Sequence, residues 1–143
     1  MKYEYEYKIK LTIWDKTHTI RGRVAHMISV DFYYKSTGEC PVQEYLDSLS
    51  SKLRAKTLRT VMLLEEFGTE LRMPYSENIG NGIFELRSVV GNDITRILYF
   101  FMEGNTAILT NGFTKKTQKT PAREIEKAKK FRSDYFVQKN KKE

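Results

Sequence analysis

Apolar and polar residues alternate from the start of the chain. From Tyr3 to Ile13 the odd positions carry Tyr, Tyr, Tyr, Ile, Leu and Ile, and the even ones Glu, Glu, Lys, Lys and Thr. A period of two marks a half-buried strand, and Thr17 to Val24 can return beside it as a second. Residues 1–26 form a leader ending near His26 and Met27. It reads equally as a native hairpin, as an upstream segment brought in by start-codon choice, or as an appended remnant.

The pattern then settles into one domain, residues 27–138. Ile28 to Tyr34 alternates as a strand that stops at Ser36, Thr37 and Gly38. Pro41 suits the first turn of a helix reaching Leu49, with Val42, Tyr45, Leu46 and Leu49 on one face. A longer helix, Ser51 to Phe67, repeats apolar positions at helical spacing and ends at Gly68. The two helices are expected to form a hairpin against the sheet. Thr69 to Gly82 reads as a loop. Three strands follow, Ile83 to Val90, Ile94 to Met102 and Thr106 to Phe113, joined so tightly that they must form an antiparallel meander. Thr120 then caps a last helix with Pro121 at its first position and Glu124 in its first turn. Ile125, Ala128, Arg132 and Tyr135 share one face of it, and residues 139–143 read as a frayed basic tail. The expected fold is α+β: an antiparallel sheet of about four strands, the helical hairpin on one side and a C-terminal helix.

Charge sharpens this picture. The 143 residues carry a formal net charge of +7. From Thr114 onward there are eleven Lys or Arg and four Asp or Glu, 11 − 4 = +7, so residues 1–113 cancel. A localised basic segment attracts polyanions or an acidic partner. The longest apolar run, Ile97 to Met102, is too short to span a bilayer, and the polar start lacks the apolar core of a secretory signal, so a cytoplasmic location without membrane attachment is expected. The single cysteine, Cys40, leaves no internal disulfide framework or multi-cysteine zinc site, and reads as a buried or incidental thiol. No metal constellation, phosphate-cradling glycine loop or nucleophile triad is visible, and no cofactor is expected.

The chemistry gathers in the second half. Strand alternation places Phe84, Leu86 and Tyr99 toward the core and Glu85, Arg87 and Arg96 on the other face. Antiparallel pairing can bring Arg87 beside Arg96, and two planar guanidiniums on neighbouring strands make a phosphate clamp. Local pairing, Arg87 with Glu85 or Arg96 with Asp93, is the competing reading. With Lys115 and Lys116 leaving the adjacent strand, the site reading is preferred. Phe113 at the strand exit either stacks on a splayed base or closes the core edge. Lys119, Arg123, Lys127 and Lys130, with Lys129 and Arg132, can hold an RNA backbone.

The strand FELR at Phe84 to Arg87, RILYFF at Arg96 to Phe101, and NGFTKKTQKTP at Asn111 to Pro121 followed by Glu124, Ile125 and Ala128 stand in an order that resembles the HigB-like toxins of the RelE/ParE superfamily. The resemblance covers about Ile28 to Phe136. It implies the toxin of a type II toxin-antitoxin pair: a ribosome-dependent endoribonuclease that cuts translated mRNA, needs no metal and inhibits protein synthesis and growth. Its implied partners are the ribosome, mRNA and a helix-turn-helix, HigA-like antitoxin, with operator DNA reached only through that antitoxin. A gyrase-directed inhibitor of the same fold, or a plain RNA-binding module, are the alternatives. RNA cleavage needs a base for the 2′-hydroxyl, neutralisation of the phosphorus centre and an acid for the leaving oxygen. Both histidines, His18 and His26, lie in the leader. Catalysis is therefore expected from Arg87, Arg96, Lys115 and Lys116, with Glu85 as candidate base.

Overall fold

A computed structural model describes residues 19–20, 23–24, 27–103, 105–115 and 119–142. The expected strand Tyr3 to Ile13 lies outside the described residues, as do His18, His26 and Lys116. Within the segment read as one returning strand, β1 (Thr19–Ile20) and β2 (Arg23–Val24) pair with each other, antiparallel.

The domain itself is a five-stranded mixed sheet with three helices. In chain order it comprises β3 (Ser29–Phe32), α1 (Pro41–Ser48), α2 (Ser51–Phe67), β4 (Ser76–Gly80), β5 (Ile83–Val90), β6 (Asp93–Met102), β7 (Thr106–Lys115) and α3 (Ala122–Lys142). The strand order is β3-β7-β6-β5-β4. The meander β5-β6-β7 is antiparallel as its short turns require. Two features differ from expectation. β3 lies parallel to β7, Val30 beside Ala107, so the sheet is mixed. A parallel neighbour needs a long crossover, here carried by α1, α2 and the meander, and no local pattern announces its direction.

The second difference is β4, in the segment read as a loop. Its sequence, SENIG, has little apolar alternation because it is an edge strand whose residues are mostly exposed. Its turn was nevertheless written in the chain. Asn81 and Gly82, both with positive φ (56° and 75°), form the two-residue connection between Gly80 and Ile83. Asn-Gly between strands is the sequence signature of that turn.

Helices cover both faces of the sheet. On one, Val42 and Leu46 of α1 and Val61 and Leu64 of α2 pack on Leu86, Ile97, Tyr99 and Leu109. Burying each such aliphatic side chain contributes about 1.5–3 kcal/mol. Arg54 joins the two helices by donating to the carbonyls of Leu46 (2.8 Å) and Leu49 (2.9 Å) at the end of α1. Thr57 meets Thr95 (2.8 Å) and Thr60 meets Ser88 (2.7 Å), fixing α2 on the β5–β6 hairpin. Tyr99 faces this core as expected; its hydroxyl reaches Ser76 (2.5 Å), and burial pushes its pKa up to about 12. On the opposite face α3 sets Ala128 against Ile83 and Leu98, and Phe131 and Tyr135 against Tyr33, Phe100 and Ile108. A sheet covered twice explains why β6 is apolar almost throughout rather than alternating. The helix runs on to Lys142, through most of the segment read as a tail. Its far half is tied down by Asp134, which accepts from Tyr33 (2.5 Å) and Gln138 (2.6 Å). No described helix is long and apolar enough to cross a membrane.

Two outcomes follow from this packing. Gly112 lies under the ring of Tyr45, where any Cβ would collide with it, and the Tyr45 hydroxyl holds the Phe113 carbonyl (3.0 Å). Gly112→Ala should cost about 1–3 kcal/mol in urea denaturation. That cost should shrink in a Tyr45→Ala background; an equal cost there would mean the ring is not the obstacle. The second outcome concerns acid. Hydrogen bonds from Tyr33 and Gln138 hold the Asp134 carboxyl below its usual range. Its contribution is therefore complete above the unfolded value of about 3.9 and disappears as pH falls through the lower folded value. Wild type should exceed Asp134→Asn in stability at pH 6, with the gap closing toward pH 3.

Candidate nucleic-acid site

Register assembles the site in rows on the face covered by α3. Arg87 of β5 stands directly opposite Arg96 of β6, which stands opposite Phe113 of β7. In the neighbouring row Glu77 of β4 faces Glu85 of β5. Like charges placed opposite each other repel. Here the two rows compensate, because each arginine leans toward the acids. Arg87 Nε lies 3.3 Å from Glu85 Oε1, Arg87 Nη1 3.6 Å from Glu77 Oε2, and Arg96 Nη1 3.8 Å from Glu85 Oε1. Two arginines and two glutamates make a formally neutral quartet.

At its centre the quartet is dry: Arg96 is 0% exposed and Glu85 1%. Burial lowers the pKa of Arg96 from its ordinary value and Arg87 adds to this, while Glu85 and Glu77 oppose it. An arginine nevertheless keeps its proton. The lid is the chain entering α3. The Thr120 hydroxyl donates to Glu85 Oε2 and lies 3.4 Å from Arg96 Nη1. Thr120 was expected to cap the helix; its hydroxyl is instead directed at the sheet, and α3 begins two residues later, at Ala122, with Pro121 accepting from the Glu124 and Ile125 amides. A second buried network lies beside it. Asn111 Nδ2 donates to Glu124 Oε1 (3.3 Å), and Thr110 Oγ1 to Asn111 Oδ1 (2.7 Å).

The sequence-derived residues therefore divide into two groups. Arg87, Arg96 and Glu85 are brought together, in the local pairing of Arg87 with Glu85 as well as in the guanidinium pair. Arg96 does not take Asp93, because an odd separation along a strand puts the two on opposite faces. Arg96 is enclosed, so its role here is to position rather than to touch a phosphate. Glu85 Oε2 accepts from Thr120, while Oε1 has ion-pair contacts to the two arginines but no hydrogen bond, and both oxygens are buried. Phe113 is half-buried against the Ile83, Leu98 and Ala128 cluster, closing the core edge. Lys115, at the last position of β7, points to the same face as Phe113 by alternation and is half-buried.

The remaining cations surround that row. Lys119 is exposed next to Thr120. Arg123 and Lys127, largely exposed, lie 3.8 and 3.6 Å from Glu124 Oε2. Pairs this exposed contribute little to stability and leave the cations available. Lys130 is exposed farther along α3, and Arg132 donates to the Asn81 carbonyl at the β4–β5 turn (2.5 Å). Since the quartet is formally neutral, the positive charge near this row is that of Lys115, Lys119, Arg123 and Lys127. Sequence reasoning missed Glu77, Asn111 and the true role of Thr120. The Asn81-Gly82 turn would have exposed Glu77; nothing local marks the other two.

Breaking the quartet should be a folding event. Glu85→Ala or Arg96→Ala alone leaves a buried charge without its counterpart and should cost about 3–5 kcal/mol in urea denaturation. The double variant should cost clearly less than the sum. Additive costs would contradict the pairing. Lys115→Ala and Lys119→Ala should stay within about 0.5 kcal/mol of wild type.

No curated protein matches the chain. The model of the phage-derived protein Gp49-like family (DUF891) matches residues 44–133, from α1 through the first half of α3, and includes the whole quartet, Phe113 and Lys115. With well over half of its length matched, and with the meander and closing helix inside that match, the chain belongs to the Gp49-like family, a toxin-like family related to RelE and HigB.

Proposed function

We propose that this protein is the toxin of a type II toxin-antitoxin pair, and that it acts as a ribosome-dependent endoribonuclease on translated mRNA. The observation that carries the reading is the row Arg87, Arg96, Phe113, held rigid by Glu85 and bordered by Lys115 and Lys119. A toxin-like family implies an antitoxin as partner in general. A small helix-turn-helix protein of the HigA kind, encoded alongside, fits that role, and it would silence the toxin by covering the basic face or blocking ribosome entry.

In this reading the protein supplies little covalent chemistry. Phe113 offers an aromatic edge to a base, and Arg123 and Lys127 grip the backbone on either side. Lys115 and Lys119 neutralise charge at the scissile phosphorus as the 2′-hydroxyl passes its proton to solvent water and its oxygen displaces the 5′-oxygen, which takes a proton from a lysine ammonium. A preorganised donor of this kind is worth about 10²–10³ in rate. The quartet, with Thr120, locks β4, β5, β6 and the start of α3 to one another, so that the groups they carry need not reorganise during the reaction.

Induction should arrest growth, and transcript ends mapped after induction should show cuts in phase with codons of translated messages. Lys115→Ala should reduce cutting about 10²–10³-fold while the fold and antitoxin binding survive. Uncut messages accompanied by DNA damage would replace this reading with the gyrase-directed one. Absence of any growth effect would leave an RNA-binding module.

A further inference from the structure

A second basic surface lies away from the row just described. Beside the β5–β6 turn a groove of about 350 Å³ is lined by Lys52, Ala55, Lys56 and Arg59 of α2 and by Val89 and Val90 of β5. All four helix residues are exposed. Positions 52, 55, 56 and 59 fall on one helical face, so the three cations form a stripe with Ala55 keeping its centre open. Among the described residues no acid lies within ion-pair distance of any of them.

This stripe is costly to the helix that carries it. Lys52 and Lys56, and Lys56 and Arg59, repel at one-turn spacing. Lys52 also stands in the first turn of α2, which has no acidic residue, next to the positive end of the helix dipole. The stripe's position is fixed by the Thr57–Thr95 and Thr60–Ser88 bonds, which hold this part of α2 on the hairpin. A rigid, uncompensated line of cations over an apolar floor is what a polyanion backbone requires.

Register shows how the groove connects with the catalytic row. Val89 stands opposite Ile94, and Ile94 opposite Lys115. Val89 and Lys115 therefore share one row, on the α3 face beside Arg87, Arg96 and Phe113, while Val90, which pairs with Asp93, points to the α2 face, so the groove wraps the end of the hairpin. We infer that Lys52, Lys56 and Arg59 bind the phosphodiester backbone of structured RNA, extending the proposed message site around the hairpin end onto α2. This rests on the proposed function for its ligand class. Contact there is electrostatic and independent of sequence, as expected for holding a large RNA while the row near Lys115 acts on the message.

The test is fluorescence anisotropy of a 5′-labelled RNA hairpin with the full chain across 50–250 mM salt. Lys52→Ala/Lys56→Ala/Arg59→Ala is compared with Lys139→Ala/Lys141→Ala/Lys142→Ala, which removes the same charge from the far end of α3. Each lost phosphate contact lowers the salt slope by about 0.9, so the groove variant should lose about 2–3 in slope and at least tenfold in affinity at 150 mM. The distal variant should lose less than 1 in slope. The groove variant should also melt no lower than wild type, since it removes only repulsion. Equal losses from the two triples, or unchanged binding by the groove triple, overturn the inference. Unchanged RNA binding with lost antitoxin binding would assign the groove to an acidic protein instead. The two proposals fail separately. A wild type that cuts no message but binds RNA through the groove refutes only the nuclease; codon-phased cutting with a groove triple that binds normally refutes only the groove.

Discussion

Glu85 is the point on which this structure turns. Its carboxylate sits 1% exposed between two arginines, with Oε2 accepting from the hydroxyl of Thr120 and Oε1 held by ion pairing alone. Three separate pieces of chain, β5, β6 and the segment entering α3, are held through that one side chain. A buried charge is tolerated only when its partners are all in place, and losing one leaves the others stranded in a dry environment. The arrangement is thus selective for one geometry. It aligns Arg87, Arg96 and Phe113 and sets the start of α3 over them.

The consequence for function is a division of labour. Charges that define the row are neutralised internally, and a neutral quartet exerts little pull on a phosphate. The pull comes from cations on its border. Lys115 leaves β7 on the same face as Phe113, Lys119 precedes Thr120, and Arg123 and Lys127 stand on the first turns of α3. Rigidity and attraction thus belong to different residues. A substitution in the quartet disturbs buried ion pairs, whereas one on the border changes only exposed or half-buried charge, so activity alone cannot assign a role to Arg96.

Coverage of the sheet explains where a ligand is able to approach. The α1–α2 hairpin occupies one face, and α3 the other. The described structure is left open at the β5–β6 turn and at the exit of β7, where Val89 is 55% exposed and Lys115 ends its strand. Uncompensated cations collect on both sides of that end: Lys52, Lys56 and Arg59 on α2, Lys115 on β7. One polyanion is able to meet both sets without crossing a helix.

Much of this was legible in the chain. Alternation along Phe84 to Arg87 and along Arg96 to Tyr99 separated core-facing from site-facing residues, because a strand's period of two admits no other assignment. The start of α1 and the end of α2 followed from Pro41 and Gly68, whose effects are local, whereas the cap of α2 by the Ser50 hydroxyl was seen only in the structure. The turn Asn81-Gly82 was equally local, yet the segment before it read as a loop, so β4 went unread. Tertiary structure alone decided three things. The direction of β3 depends on a crossover that spans most of the domain. The burial of Arg96 depends on where α3 settles, since an arginine on an open sheet and one beneath a helix have the same sequence. Thr120 was free to cap its helix or to bind Glu85, and the choice fell to the buried charge, whose need for a partner exceeds that of an amide near solvent.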